Sequence, residues 1–136
     1  MRFDTKIAVV VRADLPVWQK LNMTAFLVSG IAATNESAIG EPYGDATGNS
    51  YLPMFGQPVL VFSATQEQLR SAYQRAMGRE LQMAIFTDQL FITGNDDDNR
   101  AAVRAVLSEE LALAGLALRA ERKAVDAVVK GLSLHS

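Results

Sequence analysis

Lys6-Ile7-Ala8-Val9-Val10-Val11-Arg12-Ala13-Asp14-Leu15 is the stretch that decides the fold. Its first part is an unbroken apolar run rich in Val, the composition of a strand covered on both faces. A strand of that kind belongs in the centre of a sheet. Beyond it, Asp14 is placed to cap a helix, Pro16 suits a first helical turn, and no turn signal interrupts Trp18 to Ala33 before Thr34-Asn35. The pattern predicts a long helix, and its many small residues, Ala25, Ser29, Gly30, Ala32 and Ala33, permit close packing.

From Asn35 to Pro58 the chain changes character, with Gly40, Pro42, Gly44, Gly48, Pro53, Gly56 and Pro58 interrupting it. A structured excursion near 35–58 is expected, with a small hairpin about Gly48-Asn49 between Tyr43 and Tyr51. Val59 to Ser63 reads as a second strand. Thr65 with Gln68 forms a capping box that opens a helix, which Gly78 is placed to close. Gln82 to Thr87 reads as a third strand, followed by an acidic loop, Gly94 to Asn99, and a short helix over about Arg100 to Val106. Leu113 to Leu118 reads as a fourth strand and Glu121 to Lys130 as the last helix, stopped by Gly131. Alternating strands and helices predict a single α/β domain over residues 1–136, with a mixed, mostly parallel sheet of about four strands and helices on both faces.

The 136 residues suffice for one real core, and 49% hydrophobic with 21% charged residues is ordinary globular usage. A net charge of -2 and a pI near 5.3 argue against nucleic acid as a partner, because phosphate binding needs clustered Lys and Arg. The absence of cysteine excludes disulfides, Cys-based zinc sites and thiol catalysis. The apolar run Ile7 to Val11 is shorter than a signal peptide's, and Leu21 to Ala33 is too short and too interrupted to span a bilayer. A cytoplasmic location without membrane attachment is the expectation.

Glycine-rich nucleotide cradles are missing, so no nucleotide cofactor is expected. The single histidine, His135, reads as a solvated tail residue, and no Gly-x-Ser-x-Gly elbow exists to support serine-hydrolase chemistry. Asp96-Asp97-Asp98 has calcium-like spacing, but an EF-hand would need glycine and glutamate where Ala101 and Leu107 stand. The acidic run reads instead as solvated charge favouring the start of the next helix, and no metal is expected. Arg119, Arg122, Lys123 and Lys130 form a modest basic cluster that reads as helix-surface solvation.

What remains is built from strand ends. Ligands of open α/β sheets bind beyond the carboxyl ends of the strands, which places Arg12 and Asp14 after the first strand and Thr87 and Asp88 after the third. Lys20, early in the first helix, can join them. A lysine near carboxylates can polarise a carbonyl or stabilise an oxyanion, and an aspartate can orient or deprotonate water. Equally, Asp14 can serve as a cap alone and Asp88 as a turn alone.

The run Lys6 to Leu15 resembles the opening of the type II peptidyl-tRNA hydrolase superfamily, whose first strand ends in Val-Arg-x-Asp-Leu. Within it, Trp18 to Asn22, Gly40 to Tyr43, Gln57 to Phe62, Thr93-Gly94-Asn95 and Arg122 to Asp126 resemble an uncharacterised branch, domain of unknown function 2000. The resemblance covers nearly the whole chain and implies the hydrolase-like fold. The hydrolases continue with Gly-Lys-x-Ala-Ala-Gln, where this chain has Gln19-Lys20-Leu21-Asn22-Met23-Thr24, so the lysine alone carries over. Their later Asp-Ala-Gly-x-Thr corresponds to Asp88-Gln89-Leu90-Phe91-Ile92, with Thr93 one position late.

Two readings stay open. One is a hydrolase of an ester or amide bond in a small-molecule or acyl substrate, with Lys20 as electrophilic stabiliser and Asp88 as water-orienting base. Arg12, Asp14, Asn22, Thr87 and Thr93 are then candidate ligand contacts. The other is a non-catalytic small-ligand-binding or regulatory module on the same fold. Peptidyl-tRNA hydrolysis itself is a narrower third proposal that the acidic pI opposes. The resemblance implies a homodimer, to which the small-residue helix face also points, although small residues serve internal packing just as well.

Overall fold

The apolar run forms β1 (Thr5–Arg12), the middle strand of a five-stranded sheet in the computed structural model, which describes residues 3–136. Ile7 to Val11 are each at most 1% exposed. The reason is two-sided covering. Ile7, Val9 and Val11 face α1 (Val17–Thr34) through Met23, Leu27 and Ile31. Ala8 and Val10 face α2 (Gln66–Gly78) and α4 (Arg122–Val128) through Leu69, Ala72, Val125 and Val128. A strand with core on both sides has no reason to alternate with polar residues.

β1 pairs in parallel with β4 (Val59–Ala64) and antiparallel with β6 (Leu113–Glu121). β5 (Ala84–Thr87) and β7 (Ser133–Leu134) pair antiparallel at the two edges, giving the order β5-β6-β1-β4-β7. Among the described residues the sheet is mixed, as expected, but has five strands rather than about four, and β1 with β4 is its one parallel pair. Within the 35–58 excursion, β2 (Tyr43–Gly44) and β3 (Ser50–Tyr51) make the expected hairpin, with Gly48 at φ +101° in its turn. The Asp45 carboxylate closes it, accepting from the N–H groups of Thr47 and Asn49 and from the Tyr51 hydroxyl at 2.7 Å. Both ends of the excursion are held by one side chain. Arg119 donates to Asn35 Oδ1 at 3.1 Å and to Gln57 Oε1 at 3.0 Å, so it serves the fold and not a helix surface.

Other expectations need correction. Asp14 does not cap α1; Pro16 occupies that position without a side-chain bond, while Asp14 turns back to Arg12. The acidic run is no loop, because α3 (Asp96–Arg104) begins at its first residue. Asn95 caps it by accepting from the Asp98 N–H at 2.8 Å, and Arg100 pairs with Asp96 and Asp97. The capping box of α2 forms as read, with both the Thr65 and Gln68 bonds present. Its other end is not closed by Gly78. Glu80 takes the left-handed conformation (φ 57°), with Glu80 N–H bonded to Met77 O and Leu81 N–H to Ala76 O. That is a Schellman turn with a non-glycine residue where glycine is favoured.

One close approach fixes the distance between α1 and the sheet. A Cβ at Gly115 would lie 2.8 Å from Met23 Sδ and Cε and 2.8 Å from the Val10 carbonyl oxygen. Gly115→Ala is therefore expected to destabilise the protein by about 1–3 kcal/mol, since the backbone oxygen cannot move aside as the Met23 side chain can. Urea unfolding checks this, and an unchanged midpoint would contradict it. Glu80→Gly is expected to have the opposite sign, raising stability by roughly 0.5–1 kcal/mol through relief of the left-handed strain. A lowered melting temperature would show that the Glu80 side chain outweighs its backbone.

Candidate functional site

Arg12 ends β1 with its side chain 11% exposed, and a cation in that setting needs partners on every side. Nε donates to Asp14 Oδ1 at 2.7 Å, and one terminal nitrogen donates to Asp88 Oδ1 at 2.9 Å and to the Leu113 carbonyl at 2.7 Å. Burial lowers the guanidinium's pKa, but the hydrogen bonds and charges of Asp14 and Asp88 outweigh it and hold it above its ordinary value. Asp88 opens the 3₁₀ turn Asp88–Phe91 directly after β5, and its own N–H is bonded to the Ala112 carbonyl. Three sheet strands thus meet at one buried cation.

Three of the sequence-derived candidates are therefore together: Arg12, Asp14 and Asp88. Thr87 sits beside them, buried at the end of β5. Lys20 is elsewhere. Its ammonium lies 3.0 Å from His135 Nε2 and forms no ion pair with Asp88 among the described residues. His135 is also not a loose tail residue, since its backbone N–H bonds the Val61 carbonyl at 2.8 Å just beyond β7. Thr93 ties the 3₁₀ turn to α3, hydrogen-bonding Leu90 O and Asn99 Oδ1. Asn22 lies exposed on α1.

A second feature, unread in the sequence, is lined by none of these candidates. A groove of about 570 Å³ runs between α1, β5 and α3. Phe26, Leu27, Ala84, Phe86 and Leu90 make much of its lining, and Arg100 and Arg104 stand on its α3 side. Phe26 is 54% exposed yet packs on Phe86, which packs in turn against Phe91 with ring centroids 4.8 Å apart and the rings tilted by 52°. Arg100 is occupied by Asp96 and Asp97, whereas Arg104 forms no ion pair among the described residues. The available signal was Phe26 itself, an aromatic placed off the Met23, Leu27 and Ile31 stripe on a helix whose single charge is Lys20.

A family profile described as protein of unknown function, DUF2000, matches residues 5–136. The chain belongs to this family. A solved structure of a protein of unknown function, Atu0240 from Agrobacterium tumefaciens strain C58, is 47% identical, with a TM-score of 0.97 over 99% of this chain and 100% of that one. No functionally curated protein matches. In this DUF2000 protein no helix among the described residues is long and apolar enough to cross a membrane.

The Arg12 cluster predicts a contrast in stability. Arg12→Met keeps the packing of the stem but leaves the Leu113 carbonyl without its donor, and is expected to cost about 2–3 kcal/mol in urea unfolding at neutral pH. Asp14→Asn, at a side chain 72% exposed, is expected to cost under about 1 kcal/mol. Equal effects of the two substitutions would contradict a buried clamp.

Proposed function

We propose that this protein binds a small, largely apolar ligand carrying an anionic group in the groove between α1, β5 and α3. The observation that carries this reading is an apolar floor beside Arg104, a cation that forms no ion pair among the described residues. Ligand sites of this size are typically mostly apolar, with a few polar groups that fix orientation. The groove provides the aromatic floor, and Arg104 provides a donor fork suited to a carboxylate.

Hydrolysis of an ester or amide is a second reading, favoured by Asp88. Its side chain stays 44% exposed, and Oδ1 alone is engaged by Arg12. In this reading Asp88 would orient water, and Lys20 would have to leave His135 to stabilise an oxyanion. Kinship with the type II peptidyl-tRNA hydrolase superfamily rests on Arg12 to Leu15, Lys20 and Asp88. The acidic balance of the chain speaks against tRNA as the substrate.

Calorimetric titration with octanoate and with octanol tests the binding reading. Octanoate is expected to bind roughly tenfold more tightly, a preference that Arg104→Gln removes and that Phe26→Ala weakens for both ligands. Absence of binding by either ligand, or an unaltered preference in Arg104→Gln, would overturn it. Assaying p-nitrophenyl octanoate on the same proteins separates the readings. Turnover lost in Asp88→Ala and Lys20→Ala would replace binding by hydrolysis, and absence of turnover alongside octanoate binding supports the binding module.

A further inference from the structure

We infer that Arg119 anchors a second binding site, separate from the apolar groove, that takes the carboxylate of a short polar acid. Near the end of β6, Arg119 is half-buried, a setting in which a cation usually faces a carboxylate, as Arg12 does. Arg119 forms no ion pair among the described residues. Its side-chain partners are two neutral amide oxygens, Gln57 Oε1 on Nε and Asn35 Oδ1 on Nη1. Both amides are fixed from behind, because Gln57 Nε2 donates to the Thr5 carbonyl at 3.1 Å and Asn35 Nδ2 to the Ile31 carbonyl at 2.9 Å. The guanidinium is thus held in one orientation with its charge uncompensated. Both N–H donors of Nη2 are without a hydrogen bond among the described residues.

Arg119 borders a recess of about 420 Å³. The recess follows the apolar groove along α1 and β5, with Gly30 and Ala84 bordering both. Helix and strand lie close at that boundary, where a Cβ on Gly30 would stand 3.5 Å from Ala84 Cβ. Thr34, Asn35 and Gln82 make the recess more polar than the groove, and no Asp or Glu lines it among the described residues. The last carbonyls of α1 are already engaged: Gly30 O accepts from Thr34 Oγ1, Ile31 O from Asn35 Nδ2, and Ala32 O from the Asn35 N–H. An anion is therefore the missing partner. One guanidinium carries one charge, and its planar donors match a carboxylate. Phosphate fits less well, because the recess lies at the carboxyl end of α1, opposite in polarity to the helix N-termini that hold phosphates. Gln82 is exposed, and its side chain makes no hydrogen bond among the described residues. Its amide offers a donor and an acceptor to a hydroxyl carried next to the carboxylate.

Lactate carries both groups and serves as the probe. In a titration of the isotope-labelled full chain followed by NMR, lactate is expected to shift the Arg119 Nε–H and the Thr34 and Met83 backbone amides saturably, with a Kd in the millimolar range. Phosphate is expected to bind more weakly. Gln82→Glu exchanges an amide for a carboxylate at an exposed position and supplies the missing charge from within. It is expected to weaken lactate binding by about tenfold or more with unchanged circular dichroism. Thr34→Glu brings the same charge from the exposed end of α1 and is expected to act alike. Phe26→Ala and Arg104→Gln, which alter the groove, are expected to leave lactate affinity unchanged, so that the two sites stand or fall separately. Shifts no larger than those caused by equal sodium chloride would overturn the inference. So would phosphate binding as tightly as lactate, a lactate affinity unaltered in both Gln82→Glu and Thr34→Glu, or one lowered by the groove substitutions.

Discussion

A buried guanidinium at the end of the central strand constrains everything at that end of the sheet. Arg12 cannot lose its charge, so burying it obliges the fold to bring acceptors to it. Asp88 comes from the turn after β5, the Leu113 carbonyl from the start of β6, and Asp14 from the turn after β1 itself. The Ala13 N–H bonds the Ala64 carbonyl at the end of β4, so the fourth strand end is tied in as well. The strand-end charges that look like reactive groups in the sequence are, to a large degree, the counter-ions of one buried cation. Asp14 and Asp88 each give Arg12 one oxygen, Oδ1, in this way.

How much was legible follows from which signals are local. β1 was readable because covering on both faces imposes an unbroken apolar run, and the α2 start because a capping box lies within four residues. The start of α3 was misjudged because Asp is a poor residue for helix interiors, while three of them in a first turn are favourable once Asn95 supplies the cap. β7 has two residues, too few to carry a period of two, and exists because β4 offers an edge. At Glu80 the backbone geometry is set by the descent from α2 towards Leu81, which packs against the core, and local preference for glycine is overridden.

The candidate site was legible in parts for a related reason. A strand end fixes the direction of its side chain, so Arg12 and Asp88 could be placed near each other from topology alone. A helix does not. Lys20 is one position from Gln19 and two from Trp18, and a rotation of about 100° per residue separates groups that look adjacent in the sequence. Trp18 reaches Phe91, on the β5 side of the sheet, whereas Lys20 reaches His135, on the β7 side. Correspondence of a lysine with a family motif carries no information about that rotation.

The groove and the uncharged face of α1 have a common origin in the width of the sheet. Five strands about 4.8 Å apart span about 19 Å, roughly twice the diameter of one helix with its side chains. On the opposite face α2 and α4 share the work, but here α1 is the only long element. The 35–58 excursion supplies the missing cover on one side of it, packing Phe55 into the same core as Val59 and Val61. Arg119 holds that cover in place through Asn35 and Gln57. On the β5 side the cover among the described residues is shorter, the 3₁₀ turn whose Leu90 and Phe91 pack into that core, and Phe26 and Phe86 line an open recess beside it. A chain could have filled this space with a fifth helix or with polar side chains on α1. This one did neither, and an apolar surface kept open on a helix whose single charge is Lys20 is costly for solubility unless it is used.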